Sequence, residues 1–124
     1  MSAPIGPYRP IVRAGDWLVV SGQLGLSDGS LVAGGLQPQL RQALLNLATL
    51  LDTEGAMLSD VIKITVFLRH IDDYAAMNEA YVEAFGDHRP ARAAVAVAGL
   101  PMDALVEVDA WAHLPHSTRA DPRR

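Results

Sequence analysis

Between residues 36 and 51 the apolar side chains fall at helical spacing. Leu36, Leu40, Ala43, Leu44, Leu47, Leu50 and Leu51 line one stripe, the pattern of an amphipathic helix with one buried face. Gly55 supplies its stop. The period then changes to two. In residues 61–69 (VIKITVFLR), Ile62, Ile64, Val66 and Leu68 take one side, and Lys63, Thr65, Phe67 and Arg69 the other, which predicts a strand. A second helix is predicted over 72–85, with Tyr74, Met77, Tyr81 and Phe85 on one stripe, Asp72 as N-cap and Gly86 just past its end.

Shorter signals fill the rest of the chain. Residues 17–21 (WLVVS) predict a buried strand that Gly22 ends, preceded by a strand at 10–13 and a turn at Ala14-Gly15-Asp16. Four glycines between 25 and 35 predict a hairpin or mobile loop. Residues 92–98 and 104–112 flank Gly99-Leu100-Pro101-Met102 and predict a closing hairpin. The class is α+β, and two such helices cover only one face of a sheet. In the last strand Ala104, Val106, Val108, Ala110 and Ala112 form one side, while Leu105, Glu107, Asp109 and Trp111 form the other. The second set mixes acids with large apolar groups. It suits a subunit interface with a polar pocket, or a solvated face carrying one exposed Trp.

Composition narrows the function classes. The 124 residues are 50% hydrophobic and 19% charged, one globular domain rather than a disordered chain. No apolar run approaches the ~20 residues of a membrane span. Residues 1–10 lack a signal-like start, so the cytoplasm is the expected compartment. With 0 Cys there is no disulfide framework, thiolate nucleophile or Cys metal site. Net charge is −4, but residues 115–124, a predicted disordered tail, hold three of the ten basic residues and one acid. The body, residues 1–114, is therefore seven basic against thirteen acidic, or −6, which is no footprint for a phosphate backbone. Nine of the ten basic residues are Arg, a choice that suits planar carboxylate recognition and that a GC-rich coding bias would equally produce.

The candidate chemistry is a pair. If residues 99–102 close a hairpin, Arg92 opposes Asp109 and Glu107 opposes Ala94, so Arg92 and Glu107 share a face as diagonal neighbours about 7–8 Å apart. Ala94, Ala96 and Ala98 flank the Arg and leave room beside it. Two readings stay open: an anion clamp with a water-orienting acid, or a structural salt bridge between strands. The four His show no metal spacing, Ser21 lacks the G-x-S-x-G context of a nucleophile, and Gly25 to Gly35 match no phosphate loop.

The motifs in order resemble one family. Gly6-Pro7-Tyr8, Ser21-Gly22-Gln23, Gln39 through Asn46, Val61 to Phe67, Asn78-Glu79-Ala80-Tyr81, Pro90-Ala91-Arg92, Leu100-Pro101 and Val106-Glu107-Val108 are similar to the reactive-intermediate deaminases (RidA, YjgF-like). The resemblance covers about residues 4–114. It implies a chorismate-mutase-like α+β fold, a mixed β-sheet with two helices on one face. It also implies a homotrimer with its sheets inward and three pockets between subunits. The implied activity is hydrolysis of 2-imino acids or their enamines, such as 2-iminobutanoate or 2-aminoacrylate, to 2-keto acids and ammonia. No cofactor, metal, nucleic acid or membrane is implied. By position, Arg92 matches the carboxylate-binding Arg and Glu107 the Glu that holds water. Tyr8, Ser21, Gly22, Asn78 and Ala94 match pocket positions.

The chain departs from the family in places. Ala94 stands where a Cys is common, residues 86–89 (GDHR) are short, Arg89 replaces an aromatic before Pro90, and Arg9 follows Tyr8. One wall of the pocket is therefore expected to be more polar and more basic. The rival readings are a non-catalytic carboxylate binder on the same fold and an endoribonuclease. The −6 body and the lack of a suitably placed His pair weigh against the latter.

Overall fold

In the computed structural model, which describes residues 6–115, the leucine stripe folds as α1 (Leu36–Asp52). All seven stripe residues are buried. Gly55, at φ 80, lets the chain turn so that Ala56 N–H donates to Leu51 O at 3.0 Å, closing the helix end. Two strands precede α1 as an antiparallel pair, β1 (Ile11–Ala14) and β2 (Trp17–Leu24). The glycine-rich segment forms the small hairpin of β3 (Leu26–Ser27) and β4 (Ser30–Leu31).

After α1 come β5 (Val61–Leu68), α2 (Tyr74–Phe85), β6 (Ala91–Ala96) and β7 (Val106–His113). The main sheet runs β1-β2-β7-β5-β6. It is mixed: β5 and β6 are parallel, and the other pairs antiparallel. Both helices pack on one face, as the α+β reading expects. Leu18, Ile64, Val66, Leu68, Val106, Val108 and Ala110 from the sheet meet Leu40, Leu44, Leu47, Met77 and Phe85 from the helices in one core.

Four expectations are corrected. The closing hairpin does not form, because β6 pairs with β5 and β7 lies on the far side of β5. A helical crossover such as α2 joins parallel strands, so β6 takes the outer edge. The chain then passes over the end of β5 before β7 begins. Val97 N–H donates to Leu68 O at 2.8 Å, Arg69 N–H donates to Leu105 O at 3.0 Å, and Arg69 Nη1 pairs with Asp103 at 3.1 Å. Second, β2 continues through Gly22, where the register shifts between Val20 and Gln23, so this glycine marks a bulge and not an end. Third, a register shift between Val61 and Lys63 buries Val61 and turns Ile62 outward. Fourth, α2 starts at Tyr74, after a 3-10 turn over Ile71–Asp73, and Asp72 is not its cap. The expected tail, residues 115–124, lies outside the described residues except for Pro115, and His116 with it.

The alternation read in the last strand holds. Ala104, Val106, Val108, Ala110 and Ala112 are buried under the helices. The opposite face of the sheet carries no helix, and Val12, Trp17, Val95 and Trp111 are each more than 40% exposed there (45, 41, 44 and 47%). Large apolar groups are thus spread over a sheet face that no helix covers. No helix among the described residues is long and apolar enough to cross a membrane.

Candidate active site

Strand register decides where the two proposed site residues go. Arg92 sits opposite Ile64, and Glu107 sits opposite Phe67. Paired residues share a face and faces alternate along a strand. Positions 64 and 67 are an odd number apart, so Arg92 lies on the helix-covered face and Glu107 on the open one. The expected diagonal contact within one chain is therefore overturned, and with it the salt bridge between them. The ion pairs among the described residues are Arg13–Glu54, Arg41–Glu83 and Arg69–Asp103.

On the open face the Glu107 side chain lies against Gly22, next to Ser21 in β2. The bulge in β2 brings Gly22 against the Glu107 side chain so closely that a Cβ at residue 22 would overlap its Oε2 and lie 2.8 Å from its Cδ. Ser21 Oγ donates to Arg9 O at 2.7 Å, and Ser21 N–H donates to Pro10 O at 2.9 Å. The segment that carries the exposed Tyr8 is thereby tied to this end of β2. Burial pushes the Glu107 carboxyl above the usual carboxylate range, and the nearby Asp109 charge adds to it. Burial raises Asp109 as well, against hydrogen bonds from Thr65 and the charge of Lys63. Lys63 Nζ donates to Thr65 Oγ1 at 3.2 Å, so a line of polar groups crosses the open face.

Arg92 lies on the helix-covered face of β6. Ala94, two residues along β6, shares its face and packs at the edge of the core. The guanidinium lies on α2. Its Nη2 donates to Tyr74 Oη at 3.0 Å and its Nη1 to Met77 Sδ at 3.6 Å, while its Cζ stands 4.8 Å from the Tyr81 ring centre and 5.6 Å from that of Tyr74. Asn78, half-buried, follows Met77 on the same helix stripe. Reading the sequence alone misses this seat, because Tyr74 and Tyr81 are assigned there to a core stripe. The two phenol hydroxyls at helical spacing were the available signal.

The buried Tyr81 hydroxyl has no hydrogen-bond partner. Burial raises its pKa, against the charges of Arg92 and Arg89. Arg89 itself caps the end of α2, donating to Gly86 O and, at 3.0 Å, to His88 O. Among the described residues no three His, Asp or Glu side chains converge as metal ligands.

Comparisons with known proteins agree with this architecture. A family model described as Endoribonuclease L-PSP matches residues 1–114. A RutC family protein of Pyrococcus horikoshii is 45% identical over 112 residues, covering 89% of each chain. The 2-iminobutanoate/2-iminopropanoate deaminase of Mus musculus is 42% identical over 112 residues, 89% of this chain and 83% of that one. The crystal structure of RidA from the Antarctic bacterium Psychrobacter sp. PAMC 21119 matches with a TM-score of 0.87 at 34% identity, covering 90% of this chain and 92% of that one.

Proposed function

Because the chain belongs to the Endoribonuclease L-PSP family, the RidA/YjgF group, we propose that it is a hydrolytic deaminase of 2-imino acids and their enamines. The substrates are of the 2-iminobutanoate and 2-aminoacrylate class, and the products are 2-keto acids and ammonia. The observation that carries this reading is Arg92: a half-buried guanidinium seated on neutral acceptors, with no carboxylate within 4.0 Å among the described residues. A cation held in place but not neutralised is poised for an external carboxylate.

The chain works as a homotrimer, with the open sheet face inward. Arg92 on the edge strand of one subunit then meets Glu107 on the open face of the partner subunit, a head-to-tail contact that closes into a ring. Each pocket takes Asn78, Arg92 and Ala94 from one chain and Tyr8, Ser21, Gly22 and Glu107 from the next. Arg92 binds the substrate carboxylate. The reacting form is the protonated imine: Glu107 accepts a proton from water as the water oxygen bonds to C2 and the C=N π pair moves to nitrogen, giving a neutral carbinolamine. Glu107 then returns its proton to the amine. The C–N bond breaks with its electron pair leaving on ammonia, the hydroxyl proton passes back to Glu107 as the carbonyl forms, and solvent or ammonia takes that proton, so charge and protons balance without a redox partner. An enamine first takes a proton at C3 to become the imine.

The test is 2-oxobutanoate and ammonia release from 2-iminobutanoate generated in situ, in parent and Arg92→Ala protein. A parent rate no faster than spontaneous hydrolysis would sink the enzymatic reading and leave a carboxylate binder. The acidic body gives no support to an endoribonuclease.

A further inference from the structure

We propose that Tyr74 is a positioning residue for Arg92, holding the guanidinium in the orientation that receives the substrate carboxylate without neutralising its charge. This rests on the clamp reading of Arg92 given above. Three contacts define the seat: the Tyr74 hydroxyl on Nη2 at 3.0 Å, the Met77 thioether on Nη1 at 3.6 Å and the Tyr81 ring beneath Cζ at 4.8 Å. They come from one helix stripe, at positions 74, 77 and 81, where successive side chains stand above one another on a single face. All three groups are thus carried by one helix.

The chemistry of the three groups is selective. An Arg side chain on an edge strand has several free torsions, and a ligand that must order it loses affinity by that cost. The usual way to order an Arg is a carboxylate partner, but a carboxylate would compete with the substrate's own. A phenol oxygen, a thioether and a ring face attract the cation with no full negative charge. They use one N–H on each terminal nitrogen at most, and a guanidinium has five. The remaining N–H groups stay free for a fork-shaped contact with a carboxylate.

Tyr74 is the member of the seat that can be tested cleanly. It is 41% exposed, whereas Tyr81 and Met77 are core residues. Replacing it by Phe keeps the ring, so the fold and its thermal midpoint should hold. The readout is the dissociation constant for 2-oxobutanoate, a stable 2-keto acid, measured by calorimetry, with KM and kcat alongside. Tyr74→Phe should weaken 2-oxobutanoate binding about three- to tenfold, the net worth of one solvent-exposed hydrogen bond, and raise KM more than it lowers kcat. In an Arg92→Lys background the same change should cost nothing further, because an ammonium cannot occupy the seat in the same way.

Unchanged affinity in Tyr74→Phe, with affinity lost in Arg92→Ala, would overturn the positioning role and leave the clamp standing. A Tyr74→Phe loss that persists undiminished in Arg92→Lys would also overturn it, since Tyr74 would then touch the ligand itself. Arg92→Ala binding 2-oxobutanoate as well as the parent would remove the clamp, and the inference with it.

Discussion

Gly22 and Glu107 share one volume: the Glu107 carboxylate occupies the space that a side chain on residue 22 would need, its Cδ lying 2.8 Å from where a Cβ would stand. The glycine sits in the β2 bulge and the acid on the open face of β7. What meets the virtual Cβ is the far end of a flexible side chain and not backbone. Gly22→Ala should therefore fold, with Glu107 swung out of place. Moving a catalytic group by about 1 Å can cost on the order of 100-fold. The expected outcome is a kcat for 2-iminobutanoate lowered about 10- to 100-fold, with a thermal midpoint near the parent's. A collapsed midpoint would mean that the bulge itself had been broken.

Glu107→Gln separates catalysis from stability. Loss of the proton acceptor should lower kcat strongly while KM stays near the parent value, as for an interaction made mainly in the transition state. Stability should move the other way. Burial raises the Glu107 pKa in the folded protein, so the fold holds its proton more tightly than the unfolded chain does. The stability this contributes is complete below the ordinary glutamate pKa and is lost as pH rises through the folded value. Once Glu107 is ionised, the parent bears a half-buried charge that the Gln variant lacks. Thermal melts should show Glu107→Gln above the parent at about pH 7 and level with it below about pH 4. A lowered midpoint at neutral pH would point to an ion pair instead.

Asp109 tunes the same acid. Its charge adds to the upward shift of Glu107. Asp109→Asn should move the acid limb of the kcat/KM profile to lower pH, although burial keeps it above an ordinary glutamate. A limb that stays in place would show that the two carboxylates do not feel each other in the assembled protein.

Subunit mixing tests whether the two half-sites come from different chains. Arg92→Ala and Glu107→Gln should each be inactive alone. In trimers reassembled from equal amounts of both, a pocket works only where an intact Arg92 meets an intact Glu107 of the partner subunit, which random mixing gives in about one quarter of pockets. Recovered activity near that fraction is the expected result, and none would place the whole site within one chain. Light scattering should show a particle of three times the 13.3 kDa chain, and a monomer would remove the pocket altogether.

Leu47 probes the core beneath the sheet that carries Arg92 and Glu107. It is fully buried between α1 and the sheet. Leu47→Ala should cost about 2–5 kcal/mol in denaturant unfolding. A cost under 1 kcal/mol would mean that the helices close over the gap.

The amino-acid order alone specified much that depends on neighbours along the chain, although the start of α2 and its cap at Asp72 were misread. The leucine stripe of α1, the alternation of β7 and the Gly86 stop of α2 were all readable, because side-chain direction repeats at 3.6 or 2 residues whatever lies alongside. So was the mixed character of the open face. Strand partnership was not readable in the same way. Residues 92–98 and 104–112 carry the pattern of a hairpin, yet β5 lies between the strands they contain. The parallel crossover through α2 outweighs the short turn signal at 99–102. That one change of neighbour moved Arg92 to the opposite face from Glu107. The bulges at Gly22 and Ile62 were likewise invisible, since each arises where one strand must fit another. Periodicity reports which way a side chain points from its own backbone. Which side chains meet is set by register and packing across the whole sheet, and there Glu107 was matched to Gly22 and Arg92 to Tyr74.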